Sequence, residues 1–170
     1  VEAHPGAKLT FIGEGELLDD AISLAKGLNL QENIDFKGVL TPLEVAAELQ
    51  KHAIFVQHSI RTEQNDSEGT PLSILEAAAT GLAIVATKHG GISDVIETGV
   101  TGYLVEEGDV EAMGKYMLEL YNNKSLRSEF GDRARTRILN EYKQADYIDS
   151  LERCLLTAEV PPQKESKLSV

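Results

Sequence analysis

Two glutamates with seven residues between them, Glu68 and Glu76, flank a turn of sequence Gly69-Thr70-Pro71 that opens a predicted helix. Glycine adopts backbone angles that other residues avoid, and proline is well tolerated at the first position of a helix. Because helical side chains lean toward the amino terminus of their helix, the two carboxylates are expected to approach the same cleft. Carboxylates in such a cleft suit ligands that offer hydroxyl groups as hydrogen-bond donors.

The next two residues, Leu72 and Ser73, place their backbone amides at the start of the same predicted helix. Amides at a helix amino terminus lack intrahelical acceptors, and the helix dipole makes this end favourable for phosphate. Neighbouring carboxylates would repel a phosphate unless each of them is engaged by hydroxyl donors. A nucleotide sugar carries such hydroxyls on its ribose and on its transferred sugar, so the pattern predicts a nucleotide-sugar site.

The composition is that of an ordinary globular protein with an acidic surface. The 170 residues are 42% hydrophobic and 26% charged, which is enough for one substantial core. The formal net charge of −12 argues against a nucleic-acid partner and against strong attachment of this segment to anionic membranes. The single cysteine precludes an internal disulfide, and no metal site is predicted because no Cys/His cluster has zinc spacing. The lone cysteine, Cys154, leads us to expect a reducing, cytoplasmic compartment. No apolar run approaches the length of about 20 residues that a membrane helix needs.

Strand and helix patterns alternate along the chain. Short apolar or β-branched runs predict strands at 8–13, 34–38, 53–57, 83–87 and 102–105. Helical periodicity predicts helices at 17–27, 41–51, from 71 onward, just after 91, and at 109–122, 126–142 and 144–158. We expect one domain over residues 1–158 and a loose tail at 159–170. Because the chain runs directly into a strand pattern without an initial methionine, we expect it to be a piece of a longer protein.

This alternation predicts an α/β fold of the Rossmann-like kind, with a parallel sheet and helices on both of its faces. Ligands of such sheets bind beyond the carboxyl ends of the strands. Four glycine-rich or polar loops follow predicted strands, at 13–15, 38–41, 58–69 and 88–91. All four are therefore expected at one edge of the domain, where they would form a common binding site.

The order of several short motifs resembles the nucleotide-binding carboxy-terminal domain of retaining glycosyltransferases with two Rossmann-like domains, the GT-B type. The resemblance is greatest to the group 1 family, especially to enzymes that build bacterial exopolysaccharides such as colanic acid, and it runs from about His4 to Tyr142. It rests on the segments 8–15, 34–38, 68–77, 86–87, 90–92, 99–105 and 108–109, and on Gly81.

The resemblance implies a role for each matching position. Glu68 would be the catalytic residue and would bind hydroxyls of the donor sugar, and Glu76 would bind the ribose. Val39 and Leu40 would contact the base through backbone groups. The donor sugar and its phosphates would be bound by Gly13, Gly69, Thr70, Pro71, Leu72, Ser73, Gly90 and Gly91.

Members of this family transfer a hexose from a nucleotide-diphosphate sugar to a glycan or lipid-linked acceptor, with retention of configuration and without a metal or other cofactor. The resemblance therefore implies a hexosyltransferase of polysaccharide biosynthesis, with a UDP-sugar rather than a GDP- or ADP-sugar as donor. It also implies an amino-terminal acceptor domain on the same chain, so that this domain alone would be inactive. The parent enzyme would be peripheral at the inner face of the membrane if its acceptor is lipid-linked.

The chain also departs from the family pattern. The family usually has proline at the positions of His58 and Ser93 and glutamate at Asp94, and its diphosphate-binding arginine and lysine would precede residue 1. A nucleotide-sugar epimerase and a non-catalytic nucleotide-sugar-binding domain of the same fold remain alternatives. A sugar phosphorylase or a signalling receiver domain fits less well, because no lysine context for pyridoxal phosphate and no adjacent acidic pair follows the first strand. His89 is expected to make a local hydrogen bond, with contact to a phosphate as the alternative.

Overall fold

The computed structural model of the chain describes residues 4, 6–61 and 70–142, which form alternating strands and helices. The strands are β1 (Leu9–Phe11), β2 (Ile34–Phe36), β3 (Ile54–Gln57), β4 (Ala83–Thr87) and β5 (Gly102–Val105). The helices are α1 (Leu18–Gly27), α2 (Pro42–Leu49), α3 (Leu72–Thr80), α4 (Ile92–Val95), α5 (Val110–Asn122) and α6 (Lys124–Glu141). Each of these elements was predicted from the sequence. The predicted helix at 144–158 and the predicted tail at 159–170 lie outside the described residues.

The strands pair in parallel, but they form two sheets rather than one. β1 pairs with β2, and β3, β4 and β5 form a second sheet with β4 at its centre. Between β1 and β3 lies a cleft of about 850 Å³, lined by residues 8–12 on one side and 54–58 on the other. The predicted parallel pairing is therefore present, whereas β1 and β3 face each other across the cleft without pairing.

Helices cover both faces of the second sheet, as predicted. Side chains of successive strand residues point to opposite faces, and every residue of β4 is fully buried. On one face, Ile84 and Ala86 pack with side chains of α3, α4 and α6. On the other face, Ala83 and Val85 pack with side chains of α5 and with Phe130. This two-sided core holds the carboxyl ends of β3, β4 and β5 in fixed positions.

The segment β1–α1–β2 is packed much less tightly than the rest. Among its described residues, Ala25 of α1 is the one that is buried. Leu24 on the same helix remains 63% exposed, and Leu17 and Leu28 at its ends are exposed as well. The first sheet therefore contributes little to the hydrophobic core that stabilises the second.

Candidate functional site

The Gly-Thr-Pro turn leads into α3 with one difference from the sequence prediction. Pro71 has an extended backbone (φ −62°, ψ 130°) and caps the helix, so the prediction that it is the first helical residue was wrong. Helix α3 begins instead at Leu72, because ψ at Pro71 lies outside the helical range. Leu72 and Ser73 thus supply the first two helical amides, which have no acceptor within the helix. Glu68 and Gly69 lie outside the described residues.

The turn formed by Gly90 and Gly91 packs directly against this helix start. A Cβ placed on Gly91 would lie 2.2 Å from Oγ1 of Thr70 and 3.2 Å from its backbone nitrogen, so only glycine fits there. Gly90 has a φ of +48°, in the left-handed region that glycine adopts without strain. The two predicted phosphate-binding segments, distant in sequence, are therefore in contact.

Glu76 lines the cleft between β1 and β3. Its side chain is exposed, and it lines the cleft together with Ser73, Gln57 and His58. The Ser73 hydroxyl donates a hydrogen bond of 2.6 Å to Oε1 of Gln57, at the carboxyl end of β3. This bond leaves the backbone amide of Ser73, rather than its hydroxyl, for a ligand. The carboxylate of Glu76 faces the same cleft as Ile12, at the end of β1.

The two loops after β1 and β2 are joined to each other. The amide of Gly13 donates to the carbonyl of Gly38 at 2.8 Å, and Gly38 has a φ of +66°. The predicted base-binding residues Val39 and Leu40 follow this junction, and Val39 is 66% exposed. Neither of them lines the cleft that Ser73 and Glu76 share. Gly13 and the predicted base-binding pair therefore lie on the joined loops after β1 and β2, whereas Glu76 lines the cleft.

A capping box fixes the chain where it leaves the loop after β2 and enters α2. The amide of Thr41 donates to Oε2 of Glu44 at 2.8 Å, and the Thr41 hydroxyl accepts from the Glu44 amide at 3.4 Å. The Thr41 hydroxyl also donates to Oε2 of Glu44 at 2.7 Å. This bond, followed by the bond from the Thr41 amide, lowers the pKa of the Glu44 carboxyl. The structure thus confirms the helix start predicted at Thr41 and Pro42.

Thr87, at the end of β4, was not among the predicted site residues, yet it orders the entrance of the loop after β3. Its hydroxyl accepts from the Ser59 amide at 2.9 Å and donates to the Ser59 carbonyl at 2.7 Å. Thr87 is fully buried, so these bonds are shielded from water. This role could not be predicted, because Thr87 was identified only as the last residue of a strand.

Glu107, after β5, was also missed. Its Oε1 lies 2.7 Å from Nδ1 of the buried His89, and its Oε2 accepts from the Arg61 amide at 2.8 Å. The pKa of Glu107 is lowered, first by the bond from Arg61 and then by the bond from His89. The adjacent Glu106 differs, because it forms an exposed ion pair with Lys88. The local hydrogen bond expected of His89 is therefore present.

Comparison with known proteins agrees with this geometry. Residues 1–137 match the family described as Glycosyl transferases group 1. The chain is 30% identical over 135 residues to the amylovoran biosynthesis glycosyltransferase AmsK of Erwinia amylovora, covering 79% of this chain and 33% of AmsK. It is 32% identical over 124 residues to the putative colanic acid biosynthesis glycosyltransferase WcaL of Salmonella typhimurium, covering 72% of this chain and 30% of WcaL. The chain thus spans about a third of the length of these relatives.

Solved structures show the same fold. A mutant of S. aureus TarM, crystallised with fondaparinux, α-GlcNAc-glycerol and UDP, has a TM-score of 0.78 and 28% identity. That match covers 93% of this chain and 30% of TarM. The carboxy-terminal domain of a group 1 protein, LpcC from Francisella tularensis, has a TM-score of 0.72 and 25% identity, covering 84% of this chain and 73% of the LpcC chain. By its sequence and its fold, this chain belongs to the group 1 glycosyltransferases, as a carboxy-terminal domain of the GT-B type.

Proposed function

We propose that this chain is the donor-binding domain of a retaining glycosyltransferase that moves a hexose from a nucleotide-diphosphate sugar to a glycan or lipid-linked acceptor. The observation that carries the proposal is the contact between Gly91 and Thr70. It places a glycine turn with an exposed backbone beside the first amides of α3, at the carboxyl edge of the second sheet. Such an arrangement binds phosphate with backbone groups alone, which suits an acidic protein.

Each remaining site residue takes a part of the same ligand. The amides of Leu72 and Ser73 bind the diphosphate, and Glu76 accepts hydrogen bonds from the ribose hydroxyls. Glu68 accepts from hydroxyls of the donor sugar. Across the cleft, backbone groups of Val39 and Leu40 contact the base, next to the junction of Gly13 with Gly38.

We propose a same-face displacement as the chemical step. The bond between the anomeric carbon and the phosphate oxygen breaks, and the acceptor oxygen forms a bond to that carbon on the same face. The acceptor proton passes to the departing phosphate oxygen. Backbone amides at Leu72 and Ser73 stabilise the negative charge that develops on this phosphate, so that the proposed step needs no metal or cofactor.

The proposed substrates follow from the relatives. TarM was crystallised with UDP, which supports a UDP-sugar donor rather than a GDP- or ADP-sugar donor. AmsK and WcaL are named for the biosynthesis of amylovoran and colanic acid, which supports a role in polysaccharide biosynthesis. Both are named as glycosyltransferases, which favours transfer over epimerisation or binding alone.

The rest of the enzyme is part of the proposal, because this chain spans about a third of AmsK and WcaL. We propose that an amino-terminal domain binds the acceptor and that the donor domain is inactive without it. In the described part of the chain, no helix has the length and apolar character to span a bilayer. We place the domain in the cytoplasm, where nucleotide sugars are supplied, with the parent enzyme peripheral at the membrane if its acceptor is lipid-linked.

Titration calorimetry of the full-length enzyme tests the proposal, with UDP, GDP, ADP and their sugars as ligands. Glu76→Ala is compared with wild type, and Glu111→Ala, an exposed acid in the first turn of α5, is the matched control. We expect selective binding of UDP that Glu76→Ala weakens and Glu111→Ala leaves unchanged. Absence of binding to every nucleotide, or equal binding in wild type and Glu76→Ala, would contradict the proposal.

A further inference from the structure

The His89 side chain is buried between loops and does not lie on the surface of the proposed donor site. His89 lies two residues after the end of β4 and is 3% exposed. Its carbonyl accepts from the amide of Ile92, the first residue of α4, at 3.0 Å. Gly90 and Gly91, the turn that packs on Thr70, come directly after it. The position of the His89 ring therefore sets where this turn begins.

The partner of that ring is Glu107, whose two oxygens serve two different loops. Oε1 lies 2.7 Å from Nδ1 of His89, and because a carboxylate only accepts, that nitrogen carries the proton. Oε2 accepts from the amide of Arg61 at 2.8 Å. A single carboxylate on the loop after β5 therefore joins the loop after β3 to the loop after β4.

Both loops lead into proposed ligand groups. Arg61 directly precedes the segment that contains Glu68, and His89 directly precedes Gly90 and Gly91. The two bonds of Glu107 thus fix Arg61 and His89 relative to each other. A site whose loops are held in place before binding avoids the entropic cost of ordering them when the ligand arrives.

We infer that His89 and Glu107 are positioning residues of the donor site, which hold Arg61 in the loop after β3 and the Gly90–Gly91 turn in register for the nucleotide sugar. This inference rests on the proposed function. Neither residue contacts the ligand in this scheme, since His89 is buried behind the turn and both oxygens of Glu107 are engaged by protein.

The chain offers a closely matched control. Glu106 immediately precedes Glu107 and also pairs with a residue that follows β4, Lys88. That pair is open to water, with 49% of the Lys88 side chain and 70% of the Glu106 side chain exposed. Within the described residues, the Glu106 side chain makes no bond to the loop after β3. Glu107 therefore bonds both the loop after β3 and the loop after β4, whereas Glu106 pairs with Lys88 after β4.

The test compares donor KM, kcat and melting temperature of the full-length enzyme for wild type, Glu107→Ala, Glu107→Gln, His89→Phe and Glu106→Ala. We expect Glu107→Ala to raise donor KM roughly tenfold to a hundredfold, the range for displaced positioning groups. Glu107→Gln keeps one acceptor oxygen and should show a smaller increase at an unchanged melting temperature. Glu106→Ala should match wild type in all three quantities.

A double variant separates positioning from general stability. If the two residues act as one unit, adding His89→Phe to Glu107→Ala should raise KM no further than the worse single variant does. Amide NMR signals of Arg61 and Gly91 should broaden or shift in Glu107→Gln and remain unchanged in Glu106→Ala.

Two results would overturn the inference, and they are distinguishable. If Glu76→Ala weakens nucleotide binding while Glu107→Ala and Glu107→Gln behave like Glu106→Ala, the positioning role is wrong and the proposed function stands. If Glu76→Ala leaves nucleotide binding intact, the proposed function fails and the positioning role falls with it.

Discussion

The Thr87 hydroxyl bonds both backbone groups of Ser59, accepting from its amide at 2.9 Å and donating to its carbonyl at 2.7 Å. One buried side chain on β4 thereby completes the hydrogen bonding of a residue that has just left β3. Because Ser59 lies beyond the paired part of β3, no strand of the described residues pairs with these backbone groups. The loop that carries Glu68 therefore starts from a fixed point.

Replacement of Thr87 by valine tests this bond pair. Thr87→Val keeps the shape of the side chain but leaves the amide and carbonyl of Ser59 without their partner. We expect the free energy of unfolding to fall by about 1–3 kcal/mol, measured by urea denaturation. Thr136→Val, which removes an exposed hydroxyl bonded to the Asp132 carbonyl on α6, is the control and should cost much less. Equal losses in the two variants would argue against a special role for Thr87.

A methyl group at Gly91 should separate the glycine turn from α3. In Gly91→Ala, the new Cβ would lie 2.2 Å from Oγ1 of Thr70, so the turn must move away from the helix start. We expect nucleotide affinity to fall about tenfold or more in calorimetry of the full-length enzyme. Gly114→Ala on α5 is the control, because its new Cβ would have no atom within 4 Å. Unchanged affinity in Gly91→Ala would mean that the turn does not contact phosphate.

Gly131 allows α6 to approach the end of α3. A Cβ there would lie 2.1 Å from the carbonyl oxygen of Gly81, which is backbone and cannot rotate away. We expect Gly131→Ala to lower the free energy of unfolding by about 1–3 kcal/mol, as overpacked cores do. Gly114→Ala should be neutral or stabilise by up to about 1 kcal/mol. A Gly131→Ala protein as stable as Gly114→Ala would show that the two helices are not in such close contact.

The capping box predicts a pH dependence of stability. The pKa of Glu44 is lowered in the folded chain from its ordinary value of 4.5, first by the side-chain bond to Thr41. A lowered pKa means that the charged form stabilises the fold above the ordinary value, and that this contribution is lost as pH falls through the folded-state value. The stability difference between wild type and Glu44→Gln should therefore be constant near neutral pH and shrink below pH 4.5.

Denaturant unfolding at a series of pH values measures this difference. Glu111→Gln removes an acid from the first turn of α5 and serves as the control, since the capping bond there comes from Asp109. A Glu44→Gln difference that grows as pH falls would contradict the assigned direction of the pKa change.

Glu68 remains the predicted catalytic residue. A carboxylate that accepts from two sugar hydroxyls makes charge-assisted bonds of about 1.5–3 kcal/mol each. Glu68→Ala in the full-length enzyme should therefore lower turnover by roughly tenfold to a hundredfold or more. Steady-state kinetics with saturating donor measures the loss, and wild-type turnover in this variant would refute the assignment.

The parts of the fold that depend on local pattern were predictable. β4 and β5 have the predicted bounds because their buried runs end sharply at turn residues, and Thr41 and Glu44 formed the expected helix start. Parallel pairing then placed the loops after β3 and β4 side by side. From this pairing we could expect Gly91 and Thr70 to lie near each other. That they are in direct contact could not be predicted, because it depends on how the loops pack.

Features that join distant residues were not predictable from one sequence. Glu107 bonds Arg61, which is 46 positions away, and nothing in the local sequence distinguishes it from Glu106. That β1 and β3 belong to separate sheets was likewise not predictable, because strand patterns do not encode which strands are neighbours. Pro71 differed by one residue because helix starts are set by backbone angles that composition specifies loosely.

The uneven distribution of buried side chains should make unfolding of the domain less than fully cooperative. Since buried side chains of the described chain lie almost entirely beyond residue 48, the segment β1–α1–β2 should open on its own, without unfolding of β3–β5. Amide hydrogens of Phe11 and Phe36 should then exchange with solvent well before those of Ile84 and Val85. Val39 and Leu40, the proposed base-binding residues, follow this segment closely, so a bound nucleotide should slow its exchange most. Part of the binding energy would then offset the cost of ordering the segment β1–α1–β2. This cost would lower the affinity for the nucleotide and would help the nucleotide product to dissociate.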